Sequence, residues 1–421
     1  MKTTILPNGL TVIYEHSNSY PCDTMQLYVN VGSLLEGKKE KGLNHLVEHL
    51  MFKSTNKRTS EEITRDLEVC GARVNAWTSF DNVCFYFDTL PENMDKCLEI
   101  YADMLMNKNI SPEEFALEKS IVCQEIAMYL DEPEVINEDN WFHKFFGWDT
   151  IAGKQSVVSK FTLSQVNEYI NAYYVPQNMT ISVCTSIPYR KFIKMVKKHF
   201  GHYGNEGGVL AADDWKKYVA ANAREVFGKP EGGYKVGKCV KEKDTSQVQL
   251  CYGFPVPIMN PLLVDYCCMV LSHGLSSVLT NEMREKRGLC YGISAAVENV
   301  ISPYLSEYIP FLLKVTSSTE SENVKEFVDT LPLVMKSAKD IITNTDIERV
   351  KNAYKMKVLR ASTVATHNFF VYRHPELKMK SIKKEIKVLQ KLTLDDIRKV
   401  FGIISNYKSG SYNYSLLGKL K

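Results

Sequence analysis

The stretch GLNHLVEHLMFKST, residues 42–55, carries two patterns at once. Leu43, Leu46, Val47, Leu50, Met51 and Phe52 recur at helical spacing and predict a helix with a buried side. His45, Glu48 and His49 lie on another side, where residues at i and i+4 stand one above the other with Cβ atoms about 5 to 6 Å apart. Two imidazoles and a carboxylate on an otherwise apolar helix call for a chemical reason.

Outward from this helix the elements fall into a repeated order. Upstream, two apolar runs flank Asn8-Gly9, a dipeptide that tolerates positive φ, and predict a hairpin. A strand follows at Thr24 to Val31. Downstream, Thr59 and Glu62 stand at capping-box spacing and start a second helix that ends near Gly71. Strands are expected at Arg73 to Thr78 and Val83 to Thr89. Ser111-Pro112-Glu113-Glu114 places a cap, an N1 proline and a capping-box glutamate at the head of a further helix. Asn178 to Thr185 reads as a returning strand and PYRKFIKMVKKHF (188–200) as a helix after it. A polar stretch from Gly201 to Gly233 breaks the pattern and reads as a linker carrying one short helix. Beyond it the order restarts with a strand at Gln247 to Phe254 and two helices between Pro261 and Lys286. Strands near Cys290 to Ala296 and Tyr304 to Val315 follow, then helices and a late strand, SYNYSLL (411–417). The expected fold is α+β, with two homologous domains, each a mostly antiparallel sheet with helices packed on one face. They span residues 1–205 and 233–421, joined by a linker at 206–232.

Composition narrows the class. A chain of 421 residues accommodates about two domains of ~200 residues each. Its apolar fraction of 44% and charged fraction of 24% are those of a globular protein. A net charge of +3 provides no whole-protein field for nucleic acid or an anionic membrane. The opening MKTTILPNGLTVIYEH lacks the apolar run of a signal peptide, and no later stretch approaches a membrane span, so a cytoplasmic protein is expected. The eleven cysteines are odd in number, scattered and without a C-x-x-C pair. They read as reduced thiols that pack as small hydrophobes.

His45 and His49 at this spacing can hold one metal ion with Zn–N bonds of about 2.0 to 2.1 Å. Glu48 borders the same face and can accept a proton from a water on the metal, whose pKa zinc lowers to about 7. With nine histidines in the chain, chance supplies H-x-x-E-H in roughly one to two per cent of such sequences. The motif alone therefore leaves open two partly exposed histidines and a salt-bridging glutamate on a solvated face. A catalytic zinc site also wants a third protein ligand and an open position. The helix from Ser111 offers Glu118 and Glu125, seven residues apart and facing nearly the same way, with Ile121, Val122 and Ile126 expected to bury much of it. A solvated stripe is the ordinary reading of such a pair, and nothing in the sequence brings this helix to His45.

H-x-x-E-H is the inverted-zincin signature. His45-Leu46-Val47-Glu48-His49, continuing through Phe52-Lys53-Ser54-Thr55 and followed some 75 residues later by a glutamate-bearing helix, resembles the pitrilysin and insulin-degrading enzyme family, whose short members include the mitochondrial processing peptidase subunits. The resemblance covers essentially the whole chain. It implies Zn2+ held by His45, His49 and Glu125, with Glu48 as general base and Glu118 supporting the site from nearby. Gly71 to Thr78 is similar to the family's sheet edge, where a substrate peptide is held as an added strand, and Asn75 and Ala76 are the matching positions. Met283 to Tyr291 resembles the family's R-x6-Y segment, implying that Arg284 and Tyr291 contact substrate and stabilise the tetrahedral intermediate. The second half has no H-x-x-E-H, and its lone His273 is assigned no metal. Asn44 and Ser54 stand where the family usually has small residues.

The resemblance thus implies a zinc-dependent endopeptidase acting on short or unfolded peptides inside a dimeric chamber. A homodimer is expected, and a heterodimer with a metal-free relative is the other arrangement. Neither nucleic acid nor membrane is an expected partner. The rival reading is a non-catalytic peptide-binding or assembly subunit on the same fold.

Overall fold

The hairpin at Asn8-Gly9 opens the first sheet. Strands β1 (Lys2–Ile5) and β2 (Thr11–His16) pair antiparallel across it, and Gly9 takes φ +86°, a conformation open to glycine at no steric penalty. The Asn8 side-chain amide donates to the carbonyls of Phe200 and Tyr203 at 2.8 and 3.0 Å, tying the turn to the end of the first half. The computed structural model describes residues 1–204, 235–256, 260–298, 311–357, 360–374, 378–405 and 412–420. The linker expected at 206–232, and part of the strand expected from Tyr304, lie outside the described residues.

Strands β3 (Asp23–Val29), β4 (Arg73–Thr78), β5 (Val83–Thr89) and β6 (Met179–Thr185) complete the first sheet, in the order β1-β2-β6-β3-β5-β4. Every pairing is antiparallel except β2 with β6. The helices between and after these strands are α1 (Leu43–Leu50), α2 (Ser60–Val69), α3 (Met94–Met106), α4 (Pro112–Tyr129), α5 (Pro133–Phe146), α6 (Gln155–Val158), α7 (Leu163–Tyr173) and α8 (Tyr189–Phe200). The expected cap of α2 is present, with Thr59 Oγ1 accepting from the Glu62 amide and Glu62 accepting from the Thr59 amide. The head of α4 is closed in the same reciprocal way by Ser111 and Glu114.

The second sheet holds β7 (Gly237–Lys241), β8 (Val248–Val256), β9 (Ile293–Glu298), β10 (Phe311–Thr319) and β11 (Asn413–Leu417), in the order β7-β11-β8-β10-β9. Strand for strand, these take the places of β2, β6, β3, β5 and β4. Even the single parallel pair recurs, β7 with β11 matching β2 with β6. The fold is thus α+β with two domains of like topology. Strand β7 was not expected; its sequence GKCVK has a largely exposed pattern that alternation does not reveal.

The chain divides into two compact units, residues 1–127, 150–229 and 358–382 against residues 128–149, 230–357 and 383–421. The first is completed by the helix Ala361–Arg373. All of β3 is buried, so both faces of the sheet are covered. Met25, Leu27 and Val29 alternate to one face. On the other, Tyr28 stacks on Phe369 with ring centroids 3.5 Å apart, and Gln26 Nε2 donates to Thr366 Oγ1 at 3.0 Å. In the second unit α5 has the matching role. Trp141 is fully buried and donates from Nε1 to Asn413 Oδ1 at 2.8 Å. A Cβ on Gly253 would lie 2.6 Å from the Trp141 ring, which is why β8 carries glycine there. Among the described residues no helix is long and apolar enough to cross a membrane.

Candidate metal centre

Helix α1 begins at Gly42, whose φ of +93° lies in the left-handed region. A Cβ there would meet the Ala152 carbonyl oxygen at 2.5 Å, so the chain enters the helix through a glycine pressed against a loop. Leu43, Leu46, Val47 and Leu50 are buried as their spacing predicts. In α4, Val122 and Ile126 are buried as expected, whereas Ile121 is exposed, contrary to expectation.

The side of α4 that does turn inward brings both glutamates to the histidines. His49 donates from Nδ1 to Glu118 Oε1 at 3.0 Å, which leaves Nε2 of the same ring 3.2 Å from Glu125 Oε2. His45 Nε2 lies 3.8 Å from the same Glu125 oxygen. The two rings have centroids 4.7 Å apart at 74°. One donor atom from each of His45, His49 and Glu125 falls within 4.8 Å of the others. Ligands about 2.0 to 2.1 Å from a tetrahedral zinc stand roughly 3.3 Å from one another. The 3.2 and 3.8 Å separations of the two imidazoles from Glu125 bracket that value, so the donor set fits zinc in type and in the placing of its carboxylate.

The electrostatics agree with this use. Burial, with the neighbouring His49, lowers His45 to about 4, so it is a neutral imidazole with a lone pair to give at neutral pH. Burial would lower His49 as well, but its hydrogen bond to Glu118 and the charges of Glu48, Glu125 and Glu118 outweigh it and raise its pKa. A field that favours positive charge on His49 also attracts a cation. Glu118 is buried, which by itself would raise its carboxyl, yet the bonds from His49 and Lys53 hold it below the usual carboxylate range. Lys53 Nζ lies 2.6 Å from Glu118 Oε2, so the carboxylate that orients His49 is itself oriented.

Glu48 borders the three donors. Burial raises its carboxyl, Glu125 adds to the rise, and Thr78 and His49 oppose it. Thr78 Oγ1 donates to Glu48 Oε2 at 2.6 Å. Thr78 ends β4, the edge strand of the sheet, so one hydroxyl fixes the carboxylate relative to that edge. On β4, Asn75 Oδ1 accepts from the Ala76 amide at 2.8 Å. Ser54 uses its departure from the family pattern, donating from its amide and hydroxyl to Glu114 Oε1 at 3.2 and 2.5 Å.

Arg284 and Tyr291 belong to the second unit, with Arg284 on a π-helical turn, Thr280–Glu285. The Arg284 guanidinium carbon lies 4.9 Å from the centre of the Tyr291 ring, and Tyr291 is 80% exposed. His273 ends the helix Pro261–Ser272 and is exposed. Thr78, Lys53 and Glu36 were not singled out from the sequence. Each acts through a contact that exists only once separate elements pack, and none has a local pattern that marks it.

Comparison with known proteins places this geometry in context. The model of insulinase (peptidase family M16) matches residues 11–153, and that of the peptidase M16 inactive domain matches residues 160–354. An uncharacterized zinc protease of Bacillus subtilis, YmxG, is 25% identical over 419 residues, covering 97% of this chain and 96% of its own length. An uncharacterized zinc protease of Mycobacterium leprae is 28% identical over 302 residues, 70% of this chain and 65% of that one. A crystal structure of a protease from Helicobacter pylori has a similar fold, with a TM-score of 0.81 at 20% identity over 99% of both chains. A peptidase M16 inactive domain structure from Pseudomonas fluorescens gives 0.82 at 14% identity, covering 100% of this chain and 98% of that one.

Proposed function

The chain belongs to peptidase family M16, and from that premise we propose that it is a zinc-dependent endopeptidase that hydrolyses short or unfolded peptides in the cytoplasm. The observation that carries the proposal is the convergence of His45, His49 and Glu125 within 4.8 Å, with Glu48 bordering them under the Thr78 hydroxyl. His45, His49 and Glu125 hold the zinc. Bound there, the ion supplies Lewis acidity and brings the pKa of water to about 7. Glu48 takes the proton of the attacking water and returns it to the leaving amine. Glu118 fixes the ring and tautomer of His49. The free edge of β4, at Asn75 and Ala76, receives the substrate as an added strand through main-chain hydrogen bonds, which any extended peptide can make.

Arg284 and Tyr291 donate to the oxyanion that develops on the scissile carbonyl. In this reading they act on the zinc centre of a second subunit, so the working form is a dimer enclosing a chamber. Both residue sets lie in one chain, which makes a homodimer sufficient. The halves 1–205 and 233–421, linked by 206–232, are then a metal-bearing and a metal-free copy of one domain.

Incubating the protein with a peptide library, read by mass spectrometry with and without a chelator, tests the reading. Internal cleavage of extended peptides that stops on chelation and returns with zinc is expected. Zinc bound without any cleavage would instead favour the peptide-binding or assembly subunit. Glu118→Gln is expected to weaken zinc affinity by about 10- to 100-fold, as loss of a histidine's hydrogen-bonded carboxylate does elsewhere. Competition with a chromogenic chelator measures this directly, and unchanged affinity would remove Glu118 from the site.

A further inference from the structure

We propose that Glu36 is a positioning residue for the metal-bearing helix, capping the N-terminus of α1 from outside it and so setting where His45 stands. The inference rests on the reading of His45 as a zinc ligand. The first amides of a helix have no partner within it, and a side chain at the N-cap usually supplies one. Here the N-cap is Gly42, which has no side chain and no room for one against Ala152 and Val158. Glu36 takes over that task. Its Oε2 accepts from the Gly42 amide at 2.9 Å and its Oε1 from the Asn44 amide at 2.7 Å.

Glu36 is only 1% exposed. Burial pushes its carboxyl up to about 8, against the pull of the Asn44 and Gly42 amides and of Lys41. A carboxylate is an expensive group to bury, but the N-terminal end of a helix favours negative charge. Both oxygens accept from backbone N–H groups, an arrangement that favours the ionised form and opposes the rise that burial causes. The carboxylate grips the amides on either side of Leu43, and the second of these belongs to the residue immediately before His45. It therefore fixes the start and rotation of the turn that bears the first imidazole. Gly42 itself provides no side-chain cap to α1.

Glu36→Gln tests this, because the amide keeps the shape but faces one backbone N–H with an NH2 group. The control is Thr59→Ala, which removes the cap of α2 and leaves the metal helix alone. Three measurements separate the cases: melting temperature, zinc affinity by chelator competition, and hydrogen exchange at the Gly42 and Asn44 amides in metal-free protein. Both variants should melt lower. Only Glu36→Gln should lose protection at the two amides, weaken zinc binding by about tenfold, and lower kcat at saturating zinc with KM little changed. If Glu36→Gln fails to fold, Glu36→Asp keeps the charge on a shorter stem and should show the same selective losses in milder form. Equal loss of zinc affinity in Glu36→Gln and Thr59→Ala, or none in either, overturns the proposal. If His45→Ala leaves zinc binding of the parent protein unchanged, the metal site itself is wrong. The exchange data would then still say whether Glu36 caps α1.

Discussion

Glu48→Gln is expected to leave the zinc content unchanged while peptide cleavage falls by about 10²- to 10⁴-fold, the range over which a positioned general base acts. The substitution is nearly isosteric, and the Thr78 hydroxyl that donates to Oε2 at 2.6 Å can donate equally to an amide oxygen. The metal donors His45, His49 and Glu125 are untouched. What disappears is a carboxylate whose burial raises its pKa toward the value at which proton exchange near neutrality is efficient. Zinc analysis and turnover on one peptide, measured in the same preparation, separate binding from chemistry. Unchanged turnover would refute the role of Glu48, and loss of zinc together with activity would make it a structural group.

Mixing two inactive variants should restore activity. His45→Ala removes a metal ligand, and Arg284→Ala removes a donor to the oxyanion, a loss of about 10² to 10³ in kcat. If each site in a symmetric dimer combines the zinc donors of one subunit with Arg284 of the other, the mixed dimer has one intact and one doubly damaged site. Half of the dimers in an equal mixture are mixed, so about a quarter of the parent activity should return. The order of mixing and the time allowed for exchange control for slow dissociation. No recovery, when mass spectrometry shows that mixed dimers have formed, would mean that sites are not shared between subunits.

Much of the architecture was legible because it depends on local chemistry. The Asn8-Gly9 turn, the Thr59 and Ser111 caps and the strands Arg73–Thr78 and Val83–Thr89 all follow from residues within a few positions of one another. The recurrence of element order in the sequence implies the duplication that the two sheet orders then display. Less legible was the covering of the first sheet's second face by the helix Ala361–Arg373. Tyr28 and Gln26 alternate correctly for a face, but nothing near them names a partner more than 300 residues away. Strand β7 was missed for a related reason, since a short exposed edge has little apolar pattern to read.

The candidate site divides along the same line. The amino-acid order alone determined that His45, Glu48 and His49 share a helix face, because 3.6-residue periodicity links positions three and four apart wherever the helix goes. It also placed Glu118 and Glu125 on one side of α4. Only the folded chain decided that this side turns to α1, across a separation of 69 residues between His49 and Glu118. Only there do the two glutamates take different places, Glu118 on Nδ1 of His49 and Glu125 on the Nε2 side. The same holds for Thr78 on Glu48, Lys53 on Glu118 and Glu36 on the first amides of α1. Backbone hydrogen bonding within an element depends on nearest neighbours, whereas the meeting of elements depends on how their buried faces fill a common core, and no short window of sequence encodes that distance.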